Sequence, residues 1–279
     1  MCELFALSAR RPTVASFSLE RFAARGAEPG RNLDGWGLVF YDGRSARVYR
    51  EPEPAAGSPW LQFIERRRVP STLVLSHIRH RTRGAMSLAN TQPFARELGG
   101  RVHVFAHNGR LDGIDGLAET AGERFRPIGD TDSEIAFCLL LDRLSSLWSS
   151  GVIPSLDARL AVVAPFAAEL RALGPANFLY ADGDCLFAHG DRRTQADGRI
   201  APPGLWLLAR RCPFDRDARP LSGVAIDSLG AAQELTLLAS VPLSREAWRP
   251  LWRGQLIAVK EGGVVMSIET DPLFGAAHD

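Results

Sequence analysis

A cysteine at position 2 places a nucleophile one residue from the start of the chain. If the initiator methionine is removed, which a small side chain at position 2 permits, the thiol and a free α-amine belong to the same residue. A model α-amine titrates near ~7.7 to 8.0 and a thiol near ~8.5, so at neutral pH the amine is able to accept the thiol proton. Cys2 then carries nucleophile and base together, a task for which an internal cysteine needs a separate histidine. The plainer reading is a small buried residue that opens a strand. What decides between them is the company Cys2 keeps.

Five polar stretches follow it. Arg31-Asn-Leu-Asp-Gly-Trp-Gly37 is a glycine-punctuated turn feeding a strand; its glycines serve backbone geometry, with or without a ligand role for Asn32 and Asp34. Ser76-His-Ile-Arg-His-Arg-Thr-Arg-Gly84 ends an apolar strand. Two-residue periodicity sets His77, Arg79 and Arg81 on one face and Ile78, His80 and Thr82 on the other. An arginine at a strand end offers two parallel donors to a carboxylate. Asn90-Thr-Gln-Pro-Phe94 then precedes Phe105-Ala-His-Asn-Gly-Arg110. Asn-Gly after a strand is commonly a turn, but beside a thiol the Asn108 amide and the Gly109 N–H can converge on one oxygen as an oxyanion hole. Gly129-Asp-Thr-Asp-Ser-Glu134 reads as a helix start, where Asp130 or Asp132 serves the positive helix end and leaves the other for a ligand ammonium.

The elements that must position these clusters are legible from pattern. An apolar run over 3–8 predicts a strand, and Pro12 at a first turn with Val14, Phe17, Leu19, Phe22 and Ala23 predicts a helix closed by the glycines of 26–30. Strands are expected over 35–41 and 45–49 around Asp42-Gly43, then a short helix over 60–67. Strands over 72–79 and 101–106 lead into the polar clusters. Helices are expected over 132–146, capped by Asp130 or Thr131, and over 156–173. The remainder is β-rich, with strands over 177–181, 185–188, 205–209, 233–240, 255–260 and 264–268. Strands, two central helices and more strands predict a layered α+β domain occupying most of the chain.

Composition excludes several roles. With 33 basic and 32 acidic residues the net charge is +1, which removes the long-range positive field of a nucleic-acid or acidic-membrane binder. No apolar run approaches the roughly 20 residues of a membrane span. The N-terminus has its apolar residues ahead of its arginines, the reverse of a secretory leader, so a cytoplasmic location is expected. Cys2, Cys138, Cys185 and Cys212 lack a C-x-x-C pair and read as reduced thiols. Of the candidate metal ligands His77, His80, His103, His107 and Cys2, the first two are three apart on a strand and face opposite sides, so neither metal nor cofactor is expected.

Taken in order, Cys2, the H-x-R strand end with N-x-Q-P-F, the H-N-G and the D-T-D-S-E resemble the class II glutamine amidotransferase domain, an N-terminal nucleophile hydrolase, in its small stand-alone YafJ-like subgroup. These motifs cover about residues 2–134, and Asn177-Phe-Leu-Tyr-Ala-Asp-Gly183 with Leu186-Phe-Ala-His189 is similar to the subgroup's second half. The resemblance implies a four-layer αββα sandwich and a single domain over 1–279 with no synthase domain. By it Cys2 is the nucleophile, Asn108 and Gly109 hold the oxyanion, Arg79 holds the substrate α-carboxylate and Asp132 its α-ammonium. Arg31, Thr82 and His107 belong with them on the substrate side. The implied substrate is glutamine or another small γ-glutamyl amide, cleaved through a γ-glutamyl thioester. The chain departs from larger members at His80 and Arg81, where they carry an aromatic and a small residue. An ammonia-donating subunit with a separate acceptor protein, a hydrolase of one γ-glutamyl metabolite and a non-catalytic binding subunit remain open, with a homodimer as a possible assembly.

Overall fold

A computed structural model describes residues 2–17, 34–55, 57–80, 84–118, 124–149, 151–212 and 221–270. In chain order the first half holds β1 (Glu3–Phe17), β2 (Trp36–Asp42), β3 (Ser45–Glu51), α1 (Pro59–Arg67), β4 (Pro70–Ile78), β5 (Phe94–Leu98), β6 (Arg101–Gly109), α2 (Ile114–Ala118) and α3 (Asp132–Leu144). The second holds α4 (Leu156–Leu173), β7 (Ala176–Ala181), β8 (Leu186–Gly190), β9 (Arg193–Thr194), β10 (Ile200–Ala201), β11 (Trp206–Cys212), β12 (Val224–Asp227), β13 (Gln233–Ala239), β14 (Arg249–Pro250), β15 (Gln255–Lys260) and β16 (Gly263–Glu269).

Strand alternation sorts the apolar residues into three cores. The larger sheet runs β14-β11-β13-β1-β4-β2-β3, with β12 also on β1; the smaller runs β16-β15-β8-β7-β6-β5. Leu4, Ala6, Val39 and Leu75 of the larger sheet meet Val104, Ala106, Leu179 and Ala188 of the smaller between the two. Phe5, Leu7, Leu38 and Phe40 point the other way and pack under Leu61 and Ile64 of α1. Phe105, Phe178 and Phe187 leave the smaller sheet on its outer side to meet Phe137 and Leu140 of α3 and Val163 and Phe166 of α4. The layers are therefore α1, sheet, sheet, α3 with α4, the αββα order that the motifs implied. With both faces covered, β2 and β7 carry near-continuous apolar runs where a one-sided strand would alternate.

The helices follow their sequence signals closely. In α4, Leu160, Val163, Phe166, Ala167 and Leu170 form one buried stripe, and the Ser155 hydroxyl caps the first turn by accepting from the Ala158 N–H at 3.2 Å. Pro165 lies inside this helix on its exposed side. Among the described residues no helix is long and apolar enough to cross a membrane.

One expectation is corrected. Instead of a helix from Pro12, β1 continues to Phe17. Its register with β4 is interrupted between Ser8 and Thr13, leaving Arg10, Arg11 and Pro12 exposed, and resumes with Thr13 opposite Ser71 and Val14 opposite Pro70. A proline that cannot donate to a ladder is accommodated at such a bulge. Beyond it β12 pairs with Val14 to Phe17, long-range support that local spacing does not reveal. The expected helical residues Leu19, Phe22 and Ala23 lie outside the described residues.

Three histidines are sealed in these layers. His77, His103 and His189 have no exposed surface, and burial pushes them down from 6.5 to about 3, about 4 and about 3 respectively. Between those values and 6.5 the unfolded chain binds protons that the folded chain refuses, so stability is whole above pH 6.5 and falls below it. The loss approaches about 1.4 kcal/mol per pH unit for each histidine. Urea unfolding at pH 7 and pH 5 is expected to show a clearly lower midpoint at pH 5; equal midpoints would contradict this burial.

Candidate active site

The thiol lies where the two sheets meet at one end. Cys2 is partly buried, just ahead of the first residue of β1, whose Glu3 pairs with Ile78 of β4. Its Sγ donates to the His80 carbonyl at 3.2 Å, and the His80 N–H donates back to the sulfur at 3.2 Å. The H-x-R strand end therefore reaches the nucleophile through backbone. From the opposite sheet the Asn108 amide donates to the Cys2 carbonyl at 2.5 Å. Burial pushes the Cys2 thiol up, against the pull of the His80 N–H and of Arg79.

Gly109 sits where no side chain fits. A Cβ there would lie 1.7 Å from the Pro175 carbonyl oxygen and 2.8 Å from His107 Nε2, so glycine lets β6 close onto the start of β7. The His107 ring is buried, with Nδ1 accepting from the Ser133 hydroxyl at 2.9 Å and Nε2 donating to the Pro175 carbonyl at 3.3 Å. This pairing suits the neutral ring, and burial lowers its pKa. His107 thus braces β6 against the start of α3.

Asp132 is buried at the first turn of α3. Its Oδ2 accepts from the Leu111 N–H at 2.9 Å and its Oδ1 from the Ser133 N–H at 2.8 Å, which joins the end of β6 to the helix start. Each oxygen keeps further acceptor capacity. The cap itself is Thr131, whose hydroxyl accepts from the Glu134 N–H at 3.3 Å, so neither aspartate is occupied as the N-cap. Arg79 is buried, and its guanidinium donates to the carbonyls of Ala85 at 3.0 Å and Gly84 at 3.4 Å. Arg31 and Thr82 lie outside the described residues. The structure brings Cys2, Arg79, Asn108, Gly109, His107 and Asp132 to one end of the sandwich. No group of three or more histidine, cysteine, aspartate or glutamate side chains among the described residues is placed to hold a metal ion.

The family model for class II glutamine amidotransferases matches residues 1–277. The chain belongs to the class II glutamine amidotransferases. It is 36% identical over 257 residues to an Escherichia coli K12 protein named "Putative glutamine amidotransferase YafJ", covering 91% of this chain and 96% of that one. A Pseudomonas aeruginosa crystal structure described as a predicted glutamine amidotransferase is similar with a TM-score of 0.69 and 30% identity, over 95% of this chain and all of that one. The Bacillus subtilis glutamine phosphoribosylpyrophosphate amidotransferase shares the fold, with a TM-score of 0.59 at 16% identity, over 97% of this chain and 50% of that one. This chain is thus an enzyme of the glutamine amidotransferase type, on the N-terminal nucleophile hydrolase fold.

Further residues hold this amidotransferase site that motif spacing does not single out. Glu3, buried immediately after the nucleophile, is gripped by both terminal nitrogens of Arg193, at 3.2 and 2.7 Å, and Arg193 also donates to the Ser240 carbonyl at 2.6 Å. The Ser240 hydroxyl in turn accepts from the Leu4 N–H at 2.9 Å. Asn177, opposite Asn108 in the ladder, donates to the Asn108 carbonyl at 3.1 Å. The Gln92 side chain accepts from the His107 N–H at 2.6 Å, and Asn90 accepts from the Asp130 N–H at 3.0 Å. The N-x-Q-P-F motif is therefore scaffold that clamps the H-N-G strand and the D-T-D-S-E turn. Its signal in the sequence is polar residues at strand ends, whose partners lie too far along the chain to be paired by inspection.

Two outcomes follow from this geometry. Alkylation of Cys2 by iodoacetamide, followed on its peptide by mass spectrometry, is expected to accelerate with pH through a midpoint above the ordinary thiol value. A rate already level at pH 7 would contradict the burial. Gly109→Ala is expected to part β6 from Pro175 and lower the melting temperature, whereas Gly116→Ala in α2, where a Cβ meets open space and φ is ordinary, is not.

Proposed function

We propose that the protein is an amidohydrolase of glutamine or of another γ-glutamyl amide, acting through Cys2 after removal of the initiator methionine. The observation that carries this reading is the Asn108 amide held 2.5 Å from the carbonyl of the residue that bears the thiol. An amide NH2 has two N–H groups; one anchors Cys2 and the other is available to an oxyanion beside its sulfur.

The steps balance within these residues. The α-amine of Cys2 takes the thiol proton, and Sγ attacks the γ-carbonyl carbon. Negative charge gathers on the former carbonyl oxygen, where the second Asn108 N–H and the Gly109 N–H stabilise it. The ammonium passes its proton to the departing nitrogen, the C–N bond breaks, and ammonia or an amine leaves a γ-glutamyl thioester. Water, deprotonated by the same amine, attacks the thioester carbon, and glutamate departs as the thiol is restored. Arg79 supplies the positive charge for the substrate α-carboxylate and Asp132 the negative charge for its α-ammonium, with Arg31, Thr82 and His107 as supporting positions. In this reading the 279 residues form one catalytic domain. A separate protein that consumes the ammonia is the alternative destination for it.

Glutamate and ammonia release from glutamine and from a panel of γ-glutamyl amides tests the proposal, with intact mass reporting the N-terminus. Cys2→Ala is expected to lower turnover on the order of a thousandfold or more, and Asn108→Ala about 10²- to 10³-fold in kcat. Undiminished turnover in Cys2→Ala removes the nucleophile assignment. Retention of Met1 in an active protein removes the α-amine as base.

A further inference from the structure

The contacts around the nucleophile close on themselves. The Asn108 amide donates to the Cys2 carbonyl at 2.5 Å, and the Asn108 carbonyl accepts from the Asn177 amide at 3.1 Å. That amide also donates to the Arg192 carbonyl at 2.9 Å, and its oxygen accepts from the Asp191 N–H at 2.8 Å. Arg193, the next residue, grips Glu3 through both terminal nitrogens at 3.2 and 2.7 Å, and Glu3 is peptide-bonded to Cys2. Cys2, Asn108, Asn177, Arg192, Arg193 and Glu3 therefore form a circuit that returns to the thiol-bearing residue.

This circuit joins the two sheets twice. Asn108 and Asn177 lie on β6 and β7 of the smaller sheet, and Glu3 lies on β1 of the larger. One crossing is the Asn108 amide. The other is the segment 191–193, which leaves β8 of the smaller sheet and delivers the Arg193 guanidinium to Glu3. Cys2 is thus held at its own carbonyl by one crossing and through the side chain of the next residue by the other.

Each arm is braced so that a displacement passes along it. Glu3, Arg193, Asn108 and Asn177 are buried, where a lost partner is not replaced by bulk water. An asparagine amide has two N–H groups, and those of Asn177 serve the two carbonyls. Gly204 closes on this amide, where a Cβ would lie 1.5 Å from Asn177 Oδ1. Arg193 also donates to the Ser240 carbonyl at 2.6 Å, and its own carbonyl accepts from the Gln195 side chain at 3.3 Å. The Gln195 amide reaches across the β9-β10 hairpin to the Ala201 carbonyl at 2.6 Å.

The groups assigned to the substrate charges stand outside the circuit. Arg79 is held by the Gly84 and Ala85 carbonyls, and Asp132 by the Leu111 and Ser133 N–H groups. Opening the circuit therefore shifts the Asn108 amide against Cys2 while leaving Arg79 and Asp132 in place. A misplacement of about 1 Å between reacting groups costs on the order of a hundredfold in rate.

We propose that Asn177 and Arg193 are positioning residues of one unit, a closed circuit that sets the Asn108 amide against Cys2 and acts on turnover instead of substrate binding. This inference rests on the amidohydrolase reading above, which supplies the roles of Cys2 and Asn108.

The test opens the circuit on either arm. Glu3→Met/Arg193→Met removes both charges of a buried pair together, a replacement that folded chains commonly tolerate, and Asn177→Ala removes the other arm. Each is expected to lower kcat for glutamate release by about ten- to a hundredfold at a KM near that of the wild type. Combined, they are expected to cost little more than the larger single loss, because a circuit opens only once. The control is Tyr41→Phe, which removes a hydroxyl 2.9 Å from the Val102 and Ala181 carbonyls of the smaller sheet. It is expected to lower the melting temperature and keep kcat. Undiminished kcat in the methionine pair or in folded Asn177→Ala, losses that multiply, losses in KM alone, or an equal loss in Tyr41→Phe overturns the proposal. If the wild type cleaves neither glutamine nor any γ-glutamyl amide, the amidohydrolase reading has failed. The circuit is then judged by hydrogen exchange read by mass spectrometry. Faster exchange over 103–110 in the methionine pair and over 2–8 in Asn177→Ala supports it; exchange that rises only beside each substitution overturns it.

Discussion

The Asn108 side chain reaches from one sheet to the Cys2 carbonyl on the other, and the site is organised around that bond. Chain ends are ordinarily mobile, yet here the second residue must be held within fractions of an ångström. The fold meets this demand by making the strand after Cys2 a central one, with β13 on one side and β4 on the other. Strand pairing restrains Cys2 along two directions, and the cross-sheet amide restrains the third. Asn108 itself is held from β7 by Asn177, so the precision extends into the smaller sheet.

A second tie joins the two sheets elsewhere. The Tyr41 hydroxyl on β2 lies 2.9 Å from the carbonyls of both Val102 on β6 and Ala181 on β7, near the opposite end of β6 from Asn108. Between the two polar ties the interface is filled by aliphatic side chains such as Leu4, Val104 and Leu179. Such a dry interface supplies cohesion without direction, and the polar ties at its ends fix how the sheets register.

Much of this was legible in the sequence wherever the signal was local. α4 was expected over 156–173 and spans those residues, because its apolar spacing and its cap lie within one stretch of chain. The αββα order and the gathering of Cys2, Asn108 and Asp132 followed from ordered motifs. The far half of β1 carries a helix-like spacing, with Val14 and Phe17 three apart, but β12 pairs with it residue by residue, and that partner lies too far along the chain for local spacing to reveal. The sequence pattern does not mark β5, β9, β10, β12, β14 or the short helix α2: β5 alternates weakly, and β9, β10 and β14 are two residues long. In the site, Glu3 and Arg193 are 190 positions apart and Asn108 and Asn177 are 69. Such pairs belong to the fold, and no spacing rule joins them.

The pairing of β1 with β13 also bears on how the chain comes into being. β1 precedes the other described strands in synthesis, but Phe5 finds its partner Ala239 only after β2 to β12 and most of β13 have been made. Until then one long edge of an apolar strand waits without its neighbour, and the reactive thiol waits with it. Contacts so distant in sequence slow folding, and unpaired edges invite association with other chains. A nucleophile carried on the first residues is therefore obtained with a strand that emerges early from the ribosome and is completed late.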